Sequence, residues 1–137
     1  MPDYANFDGT PADNFDHKDL RFDAWRVAMN LATDWSWYAA DPWQREQSDR
    51  WLAFFAAQGV TSYANQYSLD GKALSQDHST GLVAMNAVAA LAATHERRKE
   101  FVQALWDAPI PSGQRRYYDG MLYVLALLHV SGQFQAR

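Results

Sequence analysis

The sequence predicts an all-α fold in which buried helices alternate with amphipathic ones. Apolar residues recur at three- and four-residue spacing in separate segments, the period of one helix face. These segments run longer than ordinary strands. Segments 23 to 40, 79 to 93 and 117 to 130 are apolar on most sides, whereas 42 to 58 and 95 to 107 carry a charged face. This is the order in which inner and outer helices wind into a layered barrel, although no sequence repeat accompanies it.

Residues 1 to 20, with Pro2, Gly9, Pro11 and several aspartates among few aliphatic residues, read as an irregular segment, and Asp8-Gly9-Thr10-Pro11 signals a turn. From Asp23 onward Ala24, Val27, Ala28, Leu31, Trp35 and Tyr38 lie on one helical face until Asp41-Pro42 stops it. Asp41 is placed to cap the next helix, 42 to 58, with Pro42 at its first position and Gly59 at its end. That helix is expected to bury Trp43, Trp51, Leu52, Phe54 and Phe55 and to expose Gln44, Arg45, Glu46, Ser48 and Asp49.

Residues 60 to 78 are polar and rich in turn formers around Asp70-Gly71; so long a loop in a helical domain points to function, with room for a short hairpin. Ser79 or Thr80 opens a third helix whose stretch Gly81 to Ala93 needs cover on most sides. A fourth, 95 to 107, starts with charges and buries Phe101, Val102, Leu105 and Trp106. After Pro109-Ile110-Pro111-Ser112-Gly113, Tyr117 to Val130 fits helix or strand by periodicity, and its length and leucine content favour helix.

With 137 residues, 48% of them hydrophobic, the chain can bury one core. A net charge of −4 offers no basic field for phosphate backbones, so nucleic acid is not an expected partner. The longest apolar run, Met121 to Val130, is about half a bilayer span, and no membrane partner is expected. The acidic, aromatic start does not read as an export signal. The absence of cysteine excludes disulfides and thiol chemistry but leaves the compartment open, cytoplasmic or exported.

His17, His78, His95 and His129 lack the spacing of a helical metal pair, and the aspartates of residues 3 to 23 lack that of a calcium loop. No phosphate-binding glycine loop or nucleophilic serine motif is present, so neither cofactor nor metal is expected. Six tryptophans bring the aromatic content to 15%. Most belong in the core, and aromatic faces also stack on sugar rings.

Four stretches together carry a resemblance. They are Phe22-Asp23-Ala24-Trp25-Arg26-Val27; Asn65-Gln66-Tyr67-Ser68-Leu69-Asp70-Gly71-Lys72; His78-Ser79-Thr80-Gly81-Leu82-Val83-Ala84-Met85-Asn86-Ala87; and Tyr117-Tyr118-Asp119-Gly120-Met121-Leu122-Tyr123 with the run to Gly132. In combination they resemble the C-terminal part of glycoside hydrolase family 8, inverting β-1,4-glycanases on an (α/α)6 barrel. The wording is closest to the reducing-end xylose-releasing exo-oligoxylanases, though the family also holds cellulases, chitosanases and lichenases.

The resemblance implies hydrolysis of xylan or xylo-oligosaccharides, with Asp23 as general base. Inversion needs two carboxyl groups roughly 6.5–9.5 Å apart, one protonated and one ionised. Arg26, three residues on, shares a helical face with Asp23, where a guanidinium favours the ionised base. The plainer alternative is that Asp23 caps a helix. The resemblance further implies a sugar contact for His78, and Trp25, Tyr67 and Asp119 are candidate substrate-binding residues; His78 and Asp119 also read as helix caps. Phe22 stands where the family commonly has tyrosine.

The family's general acid, a glutamate early in a longer domain, has no counterpart: Glu46, Glu96 and Glu100 fall on polar faces of outer helices. The chain is therefore expected to be one partial catalytic domain over 1 to 137, to be inactive alone, and to need the N-terminal half of the barrel as partner, against which it exposes an apolar flank. The competing expectation is a non-catalytic helical module that binds glycan or a partner.

Overall fold

The computed structural model describes residues 1–12 and 16–135; residues 13–15 of the N-terminal segment lie outside the described residues. Its helices are α1 (Trp25–Tyr38), α2 (Trp43–Gln58), α3 (Thr80–Ala92), α4 (Arg98–Asp107) and α5 (Arg116–Val130), and short 3-10 turns, Phe22–Ala24 and Gly113–Arg115, lead into α1 and α5. The architecture is all-α, the C-terminal portion of an (α/α)6 barrel.

α3 is the central element. It lies between α1 and α5, with α2 laid over α1 and α3, and α4 over α3 and α5. Every residue from Gly81 to Ala90 is buried, as its apolar circumference requires. Its alanines keep the backbone close to its neighbours, and the larger Leu82, Met85 and Val88 fill the space between helices. The buried amide of Asn86 accepts the indole N–H of Trp51 from α2 at 2.6 Å.

Local chemistry sets the helix ends. Ala39 turns α1 off in the left-handed region (φ 43°), and its N–H bonds the Trp35 carbonyl. Asp41 Oδ1 accepts the Trp43 N–H at 2.8 Å, and Ser79 Oγ accepts that of Leu82 at 3.4 Å. α4 begins at Arg98, later than the sequence pattern suggests. Asp49 of α2 takes the N–H groups of Thr94 and His95 at 2.6 and 2.8 Å and the Thr94 hydroxyl at 2.7 Å, holding 94–95 in a non-helical turn. In the long loop Tyr67 pairs with both Leu20 and Ala73, a small hairpin that turns at Asp70-Gly71.

Two tryptophans differ from expectation. Trp43 and Trp106 are each 54% exposed. Phe101 and Leu105 define the buried face of α4, and Trp106, one residue further on, falls about 100° round from Leu105. Trp43, in the first turn of α2, rims an apolar hollow of about 440 Å³ whose other walls include Val27, Leu31, Trp51, Phe54 and Tyr67. α5 carries an apolar stripe on its open side: Tyr117, Met121, Val124 and Leu128 recur at helical spacing and are 80%, 53%, 55% and 39% exposed.

Candidate active site

The start of α1 is built from residues far apart in sequence. Arg21 stands extended at the N-cap (φ −154°) and gives the 3-10 turn no side-chain cap. Asp3 supplies one instead. Its Oδ1 accepts the N–H groups of Asp23 and Ala24 at 2.7 and 3.1 Å, the pair a local cap residue would take. Its Oδ2 meets Nδ1 of His17 at 2.7 Å, and only 2% of the Asp3 side chain is exposed. Backbone bonds from Asp3 to Asp19 (2.7 Å) and from Tyr4 to His17 (3.2 Å) hold the segment in place.

Because Asp3 caps the turn, the Asp23 carboxylate faces elsewhere. Its Oδ1 lies 2.9 Å from Nη2 of Arg26 and accepts a bond from the Tyr118 hydroxyl of α5 at 3.3 Å. The Asp23 and Arg26 side chains are 45% and 47% exposed, open to a reactant. Burial, and then the charge of Asp23, push the Tyr118 phenol well above its ordinary value, so it stays protonated and donating.

Phe22, Trp25 and Tyr118, the neighbours of this carboxylate, wall a hollow of about 420 Å³. A second hollow of about 320 Å³ adjoins it and shares Ser79, Gln114, Arg115 and Asp119. Together they form a groove running from Phe22 and Trp25, on either side of Asp23 in the chain, to His78. Arg115 and Asp77 form an ion pair at 2.7 Å that ties the loop before His78 to the turn before α5.

Trp25, His78 and Asp119 line these hollows, while Asp23 is joined to them through the Tyr118 hydroxyl and Arg26 is paired with Asp23. Trp25 is buried beneath the groove, ringed by Phe22 and Tyr118. His78 is exposed; its Nδ1 bonds the Tyr63 carbonyl at 2.8 Å and so carries the hydrogen, leaving Nε2 of the neutral ring as an acceptor. Asp119 is buried against the Gly81 N–H, and burial raises its carboxyl above the ordinary value. A Cβ at position 81 would stand 2.6 Å from Asp119 Oδ1, so only glycine lets α3 come this close. Tyr67 lies elsewhere: it is buried, accepts the Ala64 N–H at its hydroxyl (2.9 Å) and lines the apolar hollow beside α2.

Sequence reasoning missed Asp3 and Tyr118. Tyr118 sits in the stretch Tyr117-Tyr118-Asp119-Gly120, and its phenol is a readable hint. Asp3 has no local signal, since its partners lie 20 and 21 positions away. Glu46 and Glu96 are exposed outside the groove, and Glu100 is bound to Arg97 at 2.8 and 2.9 Å, a bond that holds its carboxyl below the ordinary value.

No protein-family model matches the chain. The reducing-end xylose-releasing exo-oligoxylanase of Paenibacillus barcinonensis is 44% identical over 98% of the chain and 36% of its own length. A family 8 protein of Teredinibacter turnerae, solved with xylobiose, aligns at 47% identity and a TM-score of 0.92 over 99% of this chain and 35% of that one. Endoglucanase A of Acetivibrio thermocellus is 27% identical over 98% of the chain and 28% of its own length. The chain thus spans about a third of the length of the curated relatives it matches, in their C-terminal part.

Proposed function

Because this chain belongs to glycoside hydrolase family 8, corresponding along its whole length to the C-terminal part of those proteins, we propose that it supplies the general base of an inverting hydrolase acting on β-1,4-xylo-oligosaccharides. The observation that carries this reading is the half-exposed Asp23 carboxylate, held between Arg26 and Tyr118 beside the groove. Asp23 takes a proton from a water, which attacks the anomeric carbon from the face opposite the leaving oxygen. Arg26 offsets the charge of the carboxylate and Tyr118 fixes one of its oxygens, leaving the other for water. His78 and Asp119 contact sugar hydroxyls, and Trp25 backs the groove. Tyr67 contributes through the loop it anchors.

The leaving oxygen needs a proton, and none of Glu46, Glu96 or Glu100 is placed to give it. The acid therefore comes from the rest of the catalytic domain, which packs on the exposed stripe of α5, and the chain by itself does not turn over substrate. A xylose-based substrate is favoured over cellulose by the relatives: 44% identity to an exo-oligoxylanase against 27% to an endoglucanase.

The test is reconstitution. The chain is mixed with the remaining, N-terminal two-thirds of the Paenibacillus barcinonensis protein and given xylo-oligosaccharides and cello-oligosaccharides, and the anomer released is followed by NMR. Hydrolysis of the xylo-series, with α-product from the β-bond and none above background for Asp23→Asn, supports the reading. No hydrolysis beyond that control, with saccharide binding by the chain alone that survives Asp23→Asn and Arg26→Ala, replaces it with a non-catalytic glycan-binding module.

A further inference from the structure

We propose that Asp3, backed by His17, is a positioning residue for this reaction, holding the general base in register with its partners; the proposal rests on the reading of Asp23 as that base. A 3-10 turn that opens a helix leaves its first N–H groups without partners inside the turn, and a side chain at the N-cap ordinarily takes them. Arg21 has no acceptor on its side chain, and it is engaged with Asp19. The N–H of Asp23 itself therefore depends on a carboxylate from the far N-terminal segment.

The turn also needs restraint. Phe22 sits at φ 32°, in the left-handed region that residues bearing a Cβ rarely adopt, immediately before Asp23. The two bonds to Asp3 Oδ1 fix the peptides that follow it, and the His17 ring, lying between Tyr4 and Phe22 at centroid distances of 5.7 and 5.9 Å, fixes the carboxylate's other oxygen. Release of this hold lets Phe22 relax and swings the Asp23 side chain away from Arg26 Nη2 and the Tyr118 hydroxyl. A general base displaced by an ångström loses rate rather than affinity, by about 10²-fold in sensitive cases. Asp3 touches no substrate in this account; it acts through the backbone of Asp23.

The experiment compares Asp3→Ala, Asp3→Asn and His17→Ala with the unsubstituted chain. kcat and KM for xylo-oligosaccharides are measured after reconstitution, and amide hydrogen exchange of Asp23 and Ala24 on the chain itself. In Asp3→Ala, kcat is expected to fall about 10- to 100-fold with KM within about twofold, and the Asp23 amide to exchange about tenfold faster or more, while that of Ala24, which also bonds the Arg21 carbonyl at 2.9 Å, changes less and those of α3 keep their protection. Asp3→Asn, which keeps an oxygen for the two N–H groups, recovers most of the amide protection and part of kcat. Unchanged kcat, or unchanged protection of the Asp23 amide, in Asp3→Ala overturns the proposal. If Asp3→Ala strips protection from α3 as well, His17→Ala decides: reduced kcat with α3 intact supports the proposal, and unsubstituted-chain kcat overturns it. A mixture that never hydrolyses xylo-oligosaccharides removes the catalytic reading, while the exchange data still report whether Asp3 fixes Asp23.

Discussion

Asp23 and Arg26 meet at 2.9 Å, three residues apart, where the 3-10 turn becomes α1. Both side chains are nearly half exposed, so solvent screens the pair and its contribution to folding is below about 0.5 kcal/mol. The role proposed for it lies in the reaction. Asp23→Asn is expected to remove activity from the reconstituted enzyme by about 10²–10⁴-fold, the range for loss of a general base. Arg26→Ala should lower kcat with thermal melting of the chain nearly unchanged, and steady-state kinetics beside a melting curve separates the two effects.

At Gly81, α3 comes close to both Asp119 of α5 and Trp25. Gly81→Ala drives a methyl group onto Asp119 Oδ1 and to 3.2 Å from the Trp25 ring, both packed by neighbouring elements. Denaturant unfolding should show a loss of about 1–3 kcal/mol, the range for overpacking a filled interior. Gly120→Ala, with open space around its Cβ position, should be tolerated.

The buried phenol of Tyr63 and the half-buried one of Tyr118 should make the fold sensitive to alkali. Tyr63 and Tyr118 are both raised above their ordinary value of 10.0, by burial first and, for Tyr118, then by the charge of Asp23. Between about pH 10 and the folded values, the unfolded chain has released protons that the folded chain keeps, so stability falls as pH rises through that window and is fully present below it. Urea titrations from neutral to strongly alkaline pH should show a plateau and then a decline. Tyr118→Phe should flatten that decline; an unchanged slope would contradict the assigned burial.

The exposed α5 stripe should let folding be separated from the proposed assembly. Met121, Val124 and Leu128 point away from α3, so Met121→Lys or Val124→Glu should shift the stability of the chain alone by no more than about 0.5 kcal/mol. The same substitutions should block reconstitution with the rest of the catalytic domain, because a charge would be buried without a partner. Gel filtration of the mixture and its hydrolytic rate provide two independent readouts.

The helices were legible because their signals are local: apolar spacing for α1, α3 and α5, and the caps Asp41 and Ser79. The start of α4 was not, since Asp49 of α2 reaches across to hold Thr94 and His95 out of the helix. The amphipathic pattern of α2 and α4 expects Trp43 and Trp106 in the interior, yet a side chain that large at the rim of a helix face stays partly outside when no neighbour comes to cover it.

The site divides in the same way. The sequence by itself determined the Asp23–Arg26 pair, because an interval of three residues on a helix fixes which side chains meet, and the motif stretches marked His78 and Asp119. Only the tertiary structure decided what holds and what faces the carboxylate: Asp3 from 20 positions upstream, which frees Asp23 from capping, and Tyr118 from 95 positions downstream. Contacts over such separations depend on how the loops close and how α1 and α5 flank α3. No spacing rule encodes them, because the energy that places them is the burial of α3.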